Sequence, residues 1–194
     1  MTIGRIGPDG FTLDQVMTLF AELDAELQRT HYTADLYVIG GVAVAFHVNE
    51  ARMTQDIDAA LSTFSDGGRG SETTAPIRAA IRKVAQHNGL DDGWVNDSAG
   101  GMIPHVQDDN YRTVYSSRSL HVRIAGSEIL LAMKCMAARP KDIDDLRRLA
   151  KHLELDTPDA VLATARRIMK VDHLPPDREE WVRGVLVHPP GNSM

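Results

Sequence analysis

Apolar residues recur at helical spacing through Leu13, Val16, Phe20, Leu23 and Leu27. The stretch opens on Thr12-Leu13-Asp14-Gln15, a capping box, so the pattern predicts an amphipathic helix over residues 13–30. The period then changes. Residues 35–39 read as a buried strand, Gly40-Gly41 as a tight turn, and Val42 to about Val48 as a short helix whose Ala43 and Ala45 allow close packing. Thr54 to Leu61 reads as a second strand. A loop rich in Gly, Ser and Asp is expected over 62–74, a helix over 75–88, irregular chain through "DDGWVNDSAGGMIP", and two more strands at Thr113-Val114-Tyr115 and Leu120 to Ile124. From Ser127 the pattern is helical, at about 127–138, 141–153, 157–170 and 177–186, before a loose Pro/Gly tail. This order predicts an α/β (α+β) fold. A small mixed sheet flanked by helices would occupy 1–125, and a helical part over 126–194 would pack on it as one unit.

At 194 residues and 43% hydrophobic content the chain can bury a real core. Cys135 is the single cysteine, which excludes an intramolecular disulfide. The start "MTIGRIGPDG" has neither the basic and apolar regions of a signal peptide nor a membrane span, so a cytoplasmic, non-membrane protein is expected. The sequon Asn96-Asp97-Ser98 should then be idle. A net charge of -6 argues against a protein that coats nucleic acid. The excess is local: residues 1–60 hold three Lys/Arg against nine Asp/Glu, and the rest of the chain holds eighteen of each.

That acidic part contains "GGVAVAFHVNEARMTQDIDAAL", with Asp56 and Asp58 placed around one isoleucine. On a strand, alternate residues share a face, so both carboxylates would look at one point. At roughly 6.6 Å between their Cα atoms they would repel by about 2 to 3 kcal/mol at an effective dielectric near 20, unless a cation lies between them. A hard divalent ion such as Mg²⁺ is the natural occupant; a solvated acidic face is the plainer alternative. The glycines sharpen the choice. A Gly-Gly turn that opens a helix presents backbone N–H groups to an anion, although it can also be only a turn. Metal-holding carboxylates beside phosphate-holding amides describe phosphoryl or nucleotidyl transfer.

"GG" followed by "ARMTQDIDAAL" resembles the strand-turn-helix-strand signature of the DNA polymerase β-like nucleotidyltransferase superfamily. Its R-x-T-x-D-I-D form is similar to the AbiEii/MenT-type toxins, and "WVNDSAGGMIP" and "SEILLAMKCMAARPKDIDDLRRL" look like later blocks of that group. The resemblance implies a nucleotidyltransferase in which Asp56 and Asp58 hold Mg²⁺, and Gly40, Gly41, Arg52 and Thr54 belong to the NTP site. It also implies transfer of NMP to a tRNA 3′ end, by the toxin of a pair with a cognate antitoxin. A small molecule or protein hydroxyl as acceptor, and a non-catalytic nucleotide- or partner-binding relative, stay as alternatives. The superfamily often carries a third carboxylate on a later strand, and the strands around 113–124 have none.

The run Ile129 to Ala138 is apolar on every side except at Lys134, which must snorkel or meet a negative partner. With the resemblance, Lys134 is expected to reach the triphosphate or a catalytic carboxylate. Asp142 and Asp145 lie three apart at the start of the next helix, where acidic residues also suit the helix dipole. The toxin-like block assigns one of them, without saying which, the missing third carboxylate. His47, His105 and His121 lack zinc-site spacing and read as ordinary histidines, and Cys135 as buried filler. Basic residues near 78–83 and 147–170 could touch RNA or simply solvate helix faces.

Overall fold

The computed structural model describes residues 10–62, 64–65, 68–69, 74–97 and 108–187. These fall into two compact units, one within Met1–Gly101 and Tyr111–Ala125, the other within Met102–Asn110 and Gly126–Met194.

In the first unit, α1 (Leu13–Thr30) begins at the expected capping box: Thr12 N–H donates to Gln15 Oε1 at 2.9 Å and Gln15 N–H to Thr12 Oγ1 at 3.3 Å. Its apolar stripe, Val16, Leu19, Phe20, Leu23 and Leu27, is completely buried. Strand β1 (Ala34–Val38) leads into α2 (Gly40–Val48), then β2 (Ile57–Ser62), a short hairpin of β3 (Phe64–Ser65) and β4 (Gly68–Arg69), and α3 (Ala75–Asn88). Strands β5 (Val95–Asn96), β6 (Arg112–Ser116) and β7 (Leu120–Ile124) complete a five-stranded mixed sheet in the order β5-β2-β1-β7-β6. One sheet face, with Leu36, Val38, Ile57, Ala59, Leu120, Val122 and Ile124, is buried. The alternate positions Asp35, Tyr37, Asp58, His121 and Arg123 are half-buried, as the period of two requires. Across that second face Arg123 donates to both oxygens of Asp35, at 3.2 and 2.8 Å, and lies 5.3 Å over the Tyr111 ring.

A polar knot ties α1 to the β6–β7 turn. Asp24, nearly buried, accepts from Gln28 Nε2 (3.0 Å), Tyr115 Oη (3.0 Å) and Ser117 Oγ (2.6 Å). Burial, reinforced by the neighbouring Asp24 charge, pushes the Tyr115 phenol up to about 12.

Most elements lie within two residues of the sequence pattern, the segment 62–74 expected as a loop holds the β3–β4 hairpin, and the differences that bear on the site are at α2, β2 and β5. Helix α2 starts at Gly40 rather than Val42. Strand β2 starts at Ile57 rather than Thr54, because the Thr54 backbone pairs with Phe11 instead (2.7 and 3.2 Å) and its hydroxyl donates to the Asp56 carbonyl at 2.9 Å. Within the segment expected to be irregular, Val95 and Asn96 form β5, parallel to β2, and Ile57 N–H donates to the Trp94 carbonyl at 2.8 Å. Trp94 itself is buried and donates through Nε1 to the Ile81 carbonyl at 3.0 Å, which fixes this edge against α3. The part of that segment from Ser98 onward, like His105, lies outside the described residues.

The second unit is helical: α4 (Ser127–Ala137), a 3-10 turn at Pro140–Asp142, α5 (Ile143–His152), α6 (Pro158–Met169) and α7 (Pro176–Val187). Ile129, Leu130, Leu131, Ala132 and Cys135 of α4 are buried, and α5, α6 and α7 pack against that helix. Each such Leu or Ile contributes on the order of 1.5 to 3 kcal/mol by leaving water. Thr157 caps α6 by accepting from Ala160 N–H at 3.2 Å, and Arg166 clamps Glu179 of α7 at 3.1 and 2.6 Å. Among the described residues no helix is long and apolar enough to cross a membrane.

Candidate active site

Of the predicted residues of the first unit, Gly40, Gly41, Arg52, Thr54 and Asp58 meet at the N-terminus of α2. Ile39 N–H donates to the Asp58 carbonyl at 2.8 Å, which seats the end of β1 beside β2 and brings Gly40 against the Asp58 side chain. Gly40 has φ +69°, and an ideal Cβ built on it would collide with Asp58 Oδ2. A Cβ on Gly41 would stand 3.2 Å from Thr54 Oγ1 and 3.3 Å from both Nε and Nη2 of Arg52. The absence of side chains at 40 and 41 is therefore what lets a carboxylate, a guanidinium and a hydroxyl gather over one helix start. No side chain caps α2, since its N-cap residue is Ile39. The positive end of the helix dipole and the first N–H groups face this cluster.

Asp58 is held on its other flank by a residue that sequence reasoning passed over. Strand β5 pairs Asn96 with Asp58 in register, and Asn96 Nδ2 donates to Asp58 Oδ1 at 3.2 Å. Nothing in the apolar pattern marks a two-residue strand; Trp94-Val95, an aromatic next to a β-branched residue, is the only local hint. Asp56 sits in the bend just before β2 and is half-buried. It lines a pocket of about 370 Å³ together with Asn96, Asp97, Arg78 and Arg82. Arg78 of α3 is salt-bridged to Asp97 there.

Magnesium prefers hard oxygen donors. Asp56 and Asp58 supply hard carboxylate oxygens, and among the described residues no group of three or more His, Cys, Asp or Glu gathers at one point. Two carboxylates fit an ion that keeps waters and arrives with substrate phosphates, which is how magnesium is usually held. They do not make an all-protein cage.

In the second unit Lys134 does not snorkel. It is 6% exposed, and its Nζ donates to Asp142 Oδ1 and, at 2.7 Å, to Asp145 Oδ2, both carboxylates being 1% exposed. Arg139 Nε donates to the other Asp142 oxygen at 2.6 Å. Burial by itself would raise the Asp142 carboxyl, but the hydrogen bonds and charges of Arg139 and Lys134 outweigh it and hold the group below the usual carboxylate range. The lysine and the two candidates for a third carboxylate thus form one ion cluster joining α4 to the start of α5. Cys135 beside it is fully buried, which pushes its thiol up to about 12 and leaves no thiolate for chemistry near neutral pH. His47 anchors structure, its Nε2 lying 2.9 Å from the Ala125 carbonyl.

The family model described as "Nucleotidyltransferase of unknown function (DUF6036)" matches residues 14–172. The chain belongs to this family. The match takes in the Gly40-Gly41 turn, the Asp56/Asp58 pair, Asn96 and the Lys134 cluster together. No curated protein matches the chain.

Within this member of the DUF6036 family the two glycines differ in what they tolerate. Gly40→Ala must place a Cβ at positive φ, which costs about 1 to 2 kcal/mol, and must also push Asp58 aside. Gly41→Ala asks only that the ends of Arg52 and Thr54 give by a few tenths of an ångström. Melting curves should therefore show Gly40→Ala several degrees below wild type, with weaker Mg²⁺-NTP binding, and Gly41→Ala close to wild type. Equal behaviour of the two would mean that the Asp58–Gly40 contact constrains nothing. Gly41→Val, with its branched Cβ, should fall between wild type and Gly40→Ala.

Proposed function

We propose that the protein is a Mg²⁺-dependent enzyme that moves a nucleoside monophosphate from an NTP to an acceptor hydroxyl. The observation that carries this reading is the convergence of Asp58, Arg52 and Thr54 on the glycine-opened N-terminus of α2, in a chain of a nucleotidyltransferase family. The free N–H groups of α2 receive phosphate oxygens, and Gly40 and Gly41 allow the approach. Arg52 adds charge-assisted hydrogen bonds, and Thr54 a hydroxyl. Asp56 and Asp58 would hold magnesium, which when bound offsets the negative charge growing on the phosphates. The acceptor oxygen bonds to the α-phosphorus, the bond from that phosphorus to the bridging oxygen breaks, and pyrophosphate leaves with the electron pair. The acceptor proton passes to a nearby carboxylate or to water.

Lys134, Asp142 and Asp145 enter this proposal as a support that locks α4 to α5. For Asp142 or Asp145 to act as the third metal-holding carboxylate, it would have to exchange its ammonium partner for the ion. The sequence resemblance favours a tRNA 3′ end as acceptor and a toxin working against a cognate antitoxin.

The test is incubation with each labelled NTP, Mg²⁺ and total RNA. Label in the small-RNA band is the expected result. Label that stays with protein or with small molecules would move the acceptor to those classes, and none with any NTP or acceptor would remove the transferase reading.

A further inference from the structure

The pocket of about 370 Å³ that Asp56 and Asn96 border has no role in the steps described so far. It lies on the β5 side of β2, along α3, whereas the N-terminus of α2 continues from β1 on the other side of β2. Leu61, Ile81 and Val95 give it an apolar wall. Its charged groups are not all matched. Arg78 is tied to Asp97 by a salt bridge. Arg82, one turn further along the same flank of α3, is exposed and makes no ion pair among the described residues, and the same holds for Asp92.

The place of this pocket follows from the stereochemistry of phosphoryl transfer, in which the attacking and leaving oxygens stand roughly in line. With the β- and γ-phosphates at the α2 N-terminus, pyrophosphate leaves on the β1 side of β2. The acceptor hydroxyl must then approach from the β5 side, where the pocket opens. The lining suits one nucleotide of a strand: the apolar wall takes a base, Asp92 accepts from hydroxyl or amino groups, and the Arg82 guanidinium takes a phosphate by charge-assisted hydrogen bonds. A polycationic small molecule would instead set its charge against Arg82. We propose that this pocket is the acceptor subsite and that Arg82 holds a backbone phosphate of an RNA strand whose terminal hydroxyl is the nucleophile. This rests on the nucleotidyl-transfer reading of the site.

The experiment compares wild type, Arg82→Gln and Lys83→Gln. Lys83 is the exposed neighbour of Arg82 on α3 and does not line the pocket, so its variant removes the same charge from outside it. Binding of a single-stranded RNA hexamer, labelled with fluorescein at its 5′ end, is followed by fluorescence anisotropy in Mg²⁺ and a non-hydrolysable NTP over about 50 to 200 mM salt. Melting curves with and without Mg²⁺-NTP accompany it. The expected result is RNA binding weakened about tenfold or more by Arg82→Gln, with a log-log salt slope shallower by about 0.7, the value for one phosphate contact on a single strand. Lys83→Gln should bind RNA as wild type does, and the Mg²⁺-NTP shift in melting should be equal in all three. Equal weakening by Lys83→Gln would mean a diffuse field around α3 and overturns the assignment. RNA binding unchanged in Arg82→Gln overturns it too, as does a wild type that is stabilised by Mg²⁺-NTP and does not bind the hexamer. A wild type that Mg²⁺-NTP does not stabilise would instead sink the nucleotidyl-transfer reading, and this inference with it.

Discussion

Lys134→Met is expected to destabilise the protein by about 3 to 5 kcal/mol, the range for removing one member of a buried ion pair. For a chain of this length that lowers the melting temperature by roughly 6 to 20 °C. The reason is geometric. Methionine keeps the stem of a side chain that is 6% exposed, but Asp145 loses the ammonium at 2.7 Å and Asp142 keeps only Arg139. Adding Asp142→Asn and Asp145→Asn to Lys134→Met should recover much of the loss, because neutral amides do not need the cation. The pH dependence has a definite sign. The folded Asp142 carboxyl lies below its ordinary value, so its contribution is present above about pH 4 and is lost as pH falls through the folded value. The gap between wild type and Lys134→Met should therefore narrow in acid. A Lys134→Met protein with wild-type melting and reduced NTP turnover would show that the ammonium serves the substrate and not the cluster.

Asp56→Asn and Asp58→Asn should abolish transfer while leaving the metal-free melting temperature unchanged or higher. Each removes one of two negative charges that lie two residues apart in the chain, and an asparagine at 58 can still offer an oxygen to Asn96 Nδ2. Mg²⁺ with NTP at about 100 times the dissociation constant should stabilise the wild type by about 2.7 kcal/mol, or roughly 5 to 10 °C, through mass action on the native state. The Asn variants should hardly move. Four melting curves per protein settle it: metal-free, Mg²⁺ alone, NTP alone, and both. Variants that melt lower, with a wild type indifferent to Mg²⁺ and NTP, would mean that the two aspartates are structural and would remove the basis for nucleotidyl transfer.

Helices α1 and α3 were fully legible in the sequence, and α4 within a residue, because their determinants are local. The Thr12/Gln15 capping box, the stripe from Val16 to Leu27 and the apolar run around Lys134 specify helix, face and burial without reference to the rest of the chain. The need of Lys134 for a negative partner was legible for the same reason, whereas Gly40 and Gly41 form the first residues of α2 rather than a turn before it, and Asp56 lies in the bend before β2, so strand alternation does not put it on one face with Asp58.

Tertiary pairing decided the rest. Phe11 captures the Thr54 backbone and delays β2 to Ile57, and β2 itself recruits Val95 and Asn96 as a strand too short to show a period. The positive φ of Gly40 and its contact with Asp58 Oδ2 exist because β1 and β2 meet at Ile39. The choice of Asp142 and Asp145 as partners of Lys134 depends on the 3-10 turn that folds α5 back beside α4. Periodicity and capping act over a few residues and are written in composition order, whereas strand partners and buried counter-charges are selected among distant segments by which arrangement leaves no polar group unsatisfied in the core.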